Sequence, residues 1–296
     1  MYYTDRTIVV LDGKFVRAKD AFCSPFSQTM HYGMGVFEGI RAYQTPNGAN
    51  LFKAKEHFVR LRYAADRMFM RCDYTTDELT HFAYELLEIN GLKDAYIRPL
   101  LFNPDKMGLQ ATDNSILFMA AWKWPRYLGD NLLDTHISSV TRPSPSSMPT
   151  DCKVNGAYVS SILASTEAKR KGYDEAIMLD VNGNVAQGAS SNIFIEKDGE
   201  LFTPPTQHIL AGITRRTLLD LAKEKDIKVH EQNLTTQDLL NADTAILTGT
   251  ATEVAGLRSV NGTKFKANFK KSKCAELAQA YADLTKTVYE PSYTII

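Results

Sequence analysis

DCKVNGAYVSSILASTEAKRKGYDEAIMLDVNGNVAQGASSNIFIE, residues 151–196, joins a lysine in small, apolar surroundings to a strand, a turn and a second strand. Lys153 sits among Cys152, Val154, Gly156 and Ala157, small or apolar neighbours that suit a desolvated pocket, where burial favours the neutral, nucleophilic amine. The pattern reads as a helix-like segment opening at Lys153, with Tyr158 five residues on. A strand is expected over residues 175–179, a turn at Asn182-Gly183, and then the run Gln187-Gly188-Ala189-Ser190-Ser191-Asn192 leads into a strand over 192–196. Taken alone, Lys153 reads as an ordinary surface lysine, as most lysines are.

The chain as a whole, 296 residues with 44% hydrophobic composition, is enough for two domains or one large one. Lys+Arg and Asp+Glu both number 34, so the formal net charge is +0, which excludes a broad footprint for nucleic acid or an anionic membrane. The basic clusters at 169–171 and 266–273 read as solvated helix ends. Cys23, Cys72, Cys152 and Cys274 form no CxxC pair, and the six histidines show no metal-ligand spacing, so neither a metal site nor a disulfide framework is expected. The start MYYTDRTIVVLDGKF has no signal-peptide pattern and no stretch approaches a membrane span. The expected compartment is the cytoplasm.

Residues 7–11 and 14–17 flank Asp12-Gly13, a hairpin signal, and residues 36–43 read as one strand. Residues 55–70 and 76–89 each carry one apolar helical face, and strand-like runs follow over 95–102 and 115–124. This first half, strands with two helices inserted, predicts an α+β arrangement rather than alternating βαβ units. A break at residues 125–130 places a small N-terminal domain over 1–124, a linker over 125–135 and a larger domain, carrying Lys153, over 136–296. In that second domain a strand is expected at 245–248 and helices over 212–225 and 271–289.

Five further blocks flank the lysine stretch. The first, HYGMGVFEGIR at 31–41, has glycines at 33, 35 and 39, the wrong spacing for a GxGxxG phosphate loop. Glu56-His57-Phe58-Val59-Arg60 carries a guanidinium suited to bidentate anion binding. In LAGITR, 210–215, a glycine leads into a helix, so the Ile213 and Thr214 amides can meet a phosphate at the positive end of its dipole. LTGTATE, 247–253, ends a strand in a small-residue turn, and Tyr96-Ile97-Arg98 puts two polar side chains on one strand face.

Together, in their order along the chain, the blocks resemble the class IV aminotransferase family over roughly residues 5–290, and the FEGIR ending is similar to its branched-chain amino acid subgroup. The resemblance implies a two-domain α+β fold of the D-amino acid aminotransferase type, with pyridoxal 5'-phosphate as cofactor and Lys153 as its covalent anchor and acid/base. It assigns Arg60, Ile213, Thr214 and Thr250 to the cofactor phosphate and Tyr158 and Gln187 to the rest of the cofactor. The substrate would meet Phe37, Gly39, Tyr96, Arg98, Trp124, Tyr127, Thr250 and Ala251, with Tyr32 and the loop 107–109 reaching a neighbouring subunit of a homodimer or a higher assembly of dimers. Leucine, isoleucine or valine would give its amino group to 2-oxoglutarate, yielding glutamate and the branched-chain 2-oxo acid. A D-amino acid or amine transaminase, or an aminodeoxychorismate lyase, shares the lysine and phosphate cup and is the alternative within the family.

One position departs from the family. Gln187 stands where a glutamate is usual. A neutral amide in place of a carboxylate weakens the hydrogen bond to a protonated ring nitrogen, by about 1–2 kcal/mol, and with it the cofactor's electron sink. A slower enzyme, an altered natural glutamate, a reaction that needs less carbanion stabilisation, and a weakly active cofactor-binding protein are all consistent with the change.

Overall fold

The computed structural model describes residues 2–112 and 114–287. Contacts divide the chain into two compact units, and each is described by itself. Of the described residues, the first holds those from 2 to 124, the short segment Cys152–Gly156 and residues 285–287. The second holds Pro125–Asp151 and Ala157–Leu284.

In the first unit the hairpin β1 (Ile8–Leu11) and β2 (Lys14–Arg17) turns on Asp12 at φ 50° and Gly13 at φ 73°. These are the two positive values that a two-residue hairpin loop matched to strand twist requires. A short helix α1 (Gln28–Tyr32) precedes β3 (Gly35–Phe37), β4 (Ile40–Thr45) and β5 (Gly48–Leu51). The expected single strand over 36–43 is thus two, broken at Glu38-Gly39. The helices α2 (Ala54–Arg67) and α3 (Thr76–Ile89) follow, then β6 (Ala95–Phe102) and β7 (Ile116–Trp122). The sheet order is β2-β1-β7-β6-β4-β5, with β3 also on β6, and every pairing is antiparallel. Phe58 and Leu61 of α2 and Leu79 and Leu86 of α3 are fully buried, as the 3.6-residue spacing predicts. Thr75 starts α3 with a complete capping box, its side chain accepting from the Glu78 amide while Glu78 reaches back to the Thr75 amide.

In the second unit β8 (Leu133–Ile137) begins inside the expected linker. After it come α4 (Tyr158–Arg170), β9 (Glu175–Leu179), β10 (Val185–Gly188), β11 (Asn192–Lys197), β12 (Glu200–Thr203), α5 (Ile213–Glu224), β13 (Val229–Glu231), α6 (Thr236–Leu240), β14 (Thr244–Gly249), β15 (Glu253–Val260), β16 (Thr263–Lys264) and α7 (Lys273–Thr285). The strands run β10-β9-β8-β15-β14-β11-β12-β13, with β16 on β15, and β8–β9, β8–β15 and β12–β13 are parallel. Ile177, Ile193, Leu247 and Leu257 centre the core on one side. On the other, Ala164 and Ala168 of α4 pack against Ala176, Met178 and Ala189, so small residues let the helix approach β9 closely. The last helix ends at Thr285, and the expected continuation to residues 288–289 lies outside the described residues. Among the described residues no helix is long and apolar enough to cross a membrane, and no cluster of His, Cys, Asp and Glu could hold a metal.

Replacing Thr75 by alanine removes one arm of the capping box. It is expected to lower stability by about 1 kcal/mol, read as an earlier urea midpoint with unchanged slope.

Candidate active site

Lys153 does not open a helix; α4 starts at Tyr158. The lysine segment instead lies antiparallel against residues 33–37, with a β-bridge between Val36 and Val154. The Phe37 amide donates to the Lys153 carbonyl (3.0 Å), Asn155 to Gly35 (2.9 Å) and Gly156 to Gly33 (3.0 Å). These bonds assign the segment to the first unit, whereas the sequence reading puts the lysine in the C-terminal domain. Side-chain spacing near Lys153 carries no sign of this, because the partner strand is more than a hundred residues away in the chain.

The ladder sets Lys153 Nζ 5.0 Å from the centroid of the Phe37 ring. Arg98 Cζ lies 4.7 Å from the same centroid, so one aromatic ring contacts both side chains. Arg98 Nη2 donates to the Tyr96 hydroxyl (3.2 Å), as two residues on one face of β6 can. The Tyr96 ring meets the edge of Trp124 at 4.8 Å. Gly39 is the residue that permits this placement, since a Cβ there would overlap the Tyr96 hydroxyl. Phe37, Gly39, Tyr96, Arg98, Trp124 and Lys153 are therefore all parts of the first unit. Tyr32 lies there too, its hydroxyl donating to the Met107 carbonyl (3.2 Å), with Met107 and Leu109 exposed.

Arg60 is gripped from behind. Its Nε and Nη2 donate to the two oxygens of Glu38 at 2.6 and 2.9 Å, and His57 Nδ1 donates to Glu38 Oε2 at 2.8 Å. Burial raises the Glu38 pKa, but the charge of Arg60 and the His57 hydrogen bond together outweigh it and hold the carboxyl well below its usual range. For His57 burial dominates and lowers the pKa, because the Glu38 charge is already matched by Arg60, so the imidazole is neutral. The sequence reading assigns no role to Glu38 or His57. A signal is nevertheless present, since a carboxylate inside the apolar run VFEGI must be paired if it is buried.

The second unit holds Tyr158, Gln187, Ile213, Thr214, Thr250, Ala251 and Tyr127. Gly212 is the N-cap of α5, and no side chain caps that helix, so its first amides can serve as anion donors. A Cβ at 212 would overlap Asn192 Oδ1, and Asn192 in turn donates to the Leu210 carbonyl (2.9 Å), which fixes the loop entering the helix. The Tyr127 amide donates to the Ala251 carbonyl (3.0 Å). Gln187, Ser191 and Thr248 are buried, yet Gln187 Oε1, Ser191 Oγ and Thr248 Oγ1 have no hydrogen-bond partner. Unsatisfied buried polar atoms are uncommon in folded proteins. Arg142, which no sequence pattern marks, is also buried with Nε unpartnered; burial lowers its pKa, and the neighbouring Tyr158 acts in the opposite direction.

Residues 35–260 match the family model for amino-transferase class IV. The chain belongs to the class IV aminotransferase family. A branched-chain-amino-acid aminotransferase of Pseudomonas aeruginosa is 42% identical over 291 residues, covering 96% of this chain and 95% of that protein. The crystal structure of the Escherichia coli branched-chain amino acid aminotransferase superposes with a TM-score of 0.92 at 37% identity, over 97% of each chain. A T.th. branched-chain amino acid aminotransferase complexed with N-(5'-phosphopyridoxyl)-L-glutamate gives 0.90 at 33% identity, over 97% of this chain and 96% of that one. These class IV likenesses bear out the α+β two-domain fold and make the protein a pyridoxal-phosphate-dependent transaminase. The chemistry of the residues present in each unit suits such a cofactor: the first has a lysine beside an aromatic ring, and the second has an uncapped helix N-terminus and buried unpartnered polar atoms.

Because the folded Glu38 pKa lies below its ordinary 4.5, its pairing stabilises the fold fully above about pH 4.5 and is lost as pH falls further. Neutral His57 adds a second loss as pH falls through its ordinary 6.5. Glu38→Gln should cost about 3 kcal/mol near pH 7, with the gap to the unmodified protein closing below about pH 4.5. A gap in urea stability that stays constant from pH 7 to pH 3 would contradict this account.

Proposed function

We propose that the protein moves the α-amino group of leucine, isoleucine or valine to 2-oxoglutarate in a ping-pong cycle. The observation that carries this reading is the Phe37 ring, which lies beside Lys153 Nζ with Arg98 at its other contact. A substrate pocket that serves both leucine and glutamate needs an apolar wall with a cation at its edge. Phe37 supplies the wall, with Trp124 and Tyr127 as further surface, and Arg98 supplies the cation for the second carboxylate of glutamate. The likeness to a structure complexed with a phosphopyridoxyl-glutamate supports the acceptor half.

Pyridoxal phosphate supplies an electron sink for the substrate Cα–H bond when it is bound. Lys153 anchors the cofactor and, once displaced by substrate, its Nζ takes the proton from Cα as general base and returns it as general acid. Arg60, the Ile213 and Thr214 amides and the Thr250 hydroxyl hold the phosphate. Glu38 leaves the Arg60 fork one orientation, which spares ordering entropy on binding. Thr250 and the Ala251 amide receive the substrate carboxylate, with Tyr96 near it. Tyr158 and Gln187 meet the cofactor ring. Tyr32 and the 107–109 loop would complete the site of a neighbouring subunit in a homodimer or an assembly of dimers. We place the protein in the cytoplasm, which fits its four free and dispersed cysteines.

L-Leucine should bleach the visible band of the lysine-bound cofactor in a single-turnover half-reaction. Bleaching by D-alanine alone would refute the substrate assignment. Arg98→Leu should raise KM for 2-oxoglutarate by about 10–100-fold, the worth of one charge-assisted pair, while changing the leucine half-reaction by less than about tenfold.

A further inference from the structure

Gln187 lies in β10, buried to 4% exposure, and its two amide atoms are treated differently by the fold. Nε2 donates to the carbonyl of Gly188 at 3.1 Å. Oε1 has no partner. The Gly188 carbonyl cannot easily move away. Its own residue is tied by the amide bond to the Ser191 carbonyl (2.7 Å) and by pairing with Ile177, and no side chain fits at 188, where a Cβ would overlap Ser191 Oγ. Turning the amide over would set Oε1 against that carbonyl, two acceptors with no proton between them. The orientation of Gln187 is therefore dictated by the backbone, and the atom it leaves over is an acceptor.

We infer that Gln187 presents Oε1 as a neutral acceptor to a protonated cofactor ring nitrogen, so that the glutamine keeps the pyridinium form that a carboxylate would keep. The inference rests on the proposed placement of Gln187 against the cofactor ring. An amide offering its NH2 group would select the opposite form, an unprotonated nitrogen. The buried oxygen can only accept, and the bound ring nitrogen carries a proton to donate only when protonated. Replacing the carboxylate by an amide thus lowers the affinity for that proton without reversing the preference.

The test is nitrogen-15 NMR of the holoenzyme reconstituted with ring-labelled pyridoxal phosphate, at pH 8, for the protein and for Gln187→Glu and Gln187→Leu. The expected spectrum of the unmodified protein shows the upfield nitrogen resonance of a protonated pyridine, coupled to a deshielded proton. Gln187→Glu should keep it and move its titration up by about one pH unit, the worth of charging one hydrogen bond. Gln187→Leu, which keeps the volume but has no acceptor, should show the downfield, uncoupled resonance. An unprotonated nitrogen in the unmodified protein overturns the inference, whatever the leucine variant does, and so does a leucine variant that stays protonated. Failure of the functional reading looks different: no visible lysine-bound cofactor band and no labelled resonance held by the protein.

Discussion

Three backbone hydrogen bonds between residues 33–37 and 152–156 determine where the lysine stands, and much of the first unit follows from them. The strand they extend, β3, is paired along its other edge with β6, with Phe37 opposite Leu100. Strand β6 also carries Tyr96 and Arg98. One sheet edge therefore sets lysine, aromatic wall and guanidinium in register without relying on any flexible loop. Just beyond β3 the chain breaks at Glu38-Gly39, and both residues are committed. The Glu38 amide donates to the Pro99 carbonyl (2.9 Å) and its carboxylate turns inward to Arg60, while Gly39 clears space for the Tyr96 hydroxyl.

The two units handle charge at their candidate site residues by different means. In the first, a buried carboxylate balances an arginine and orders a neutral histidine, an arrangement in which removal of one member exposes the others to the full cost of burial. In the second, the unpartnered buried atoms of Gln187, Ser191 and Thr248 are neutral, and the positive end of α5 is a dipole rather than a formal charge. Fixed charge and aligned amides both favour an anion, whereas a single neutral hydrogen bond tunes a titrating partner in a graded way.

Local signals in the sequence are accurate wherever local chemistry dominates. Asp12-Gly13 adopts the positive φ pair that its hairpin needs, residues 76–89 form the helix that their apolar face predicts, and Tyr96 and Arg98 share a strand face. The misreadings have one cause, pairing between residues far apart in sequence. The small neighbours of Lys153 suit a helix as well as an extended segment, and only the distant residues 33–37 choose between them. The run 36–43 is apolar enough for one strand, and its break emerges only when Glu38 is seen to have a buried partner on α2. Arg142 gives no signal at all, because an arginine before Pro143 reads as loop, and its burial depends on the fold of the second unit.

If Lys153, held by that ladder, binds the cofactor, borohydride reduction of the holoenzyme followed by peptide mass mapping should give a single phosphopyridoxyl adduct on the peptide containing Lys153. Replacing Lys153 by alanine should prevent it. An adduct on another lysine, with the Lys153 peptide unmodified, would contradict that assignment.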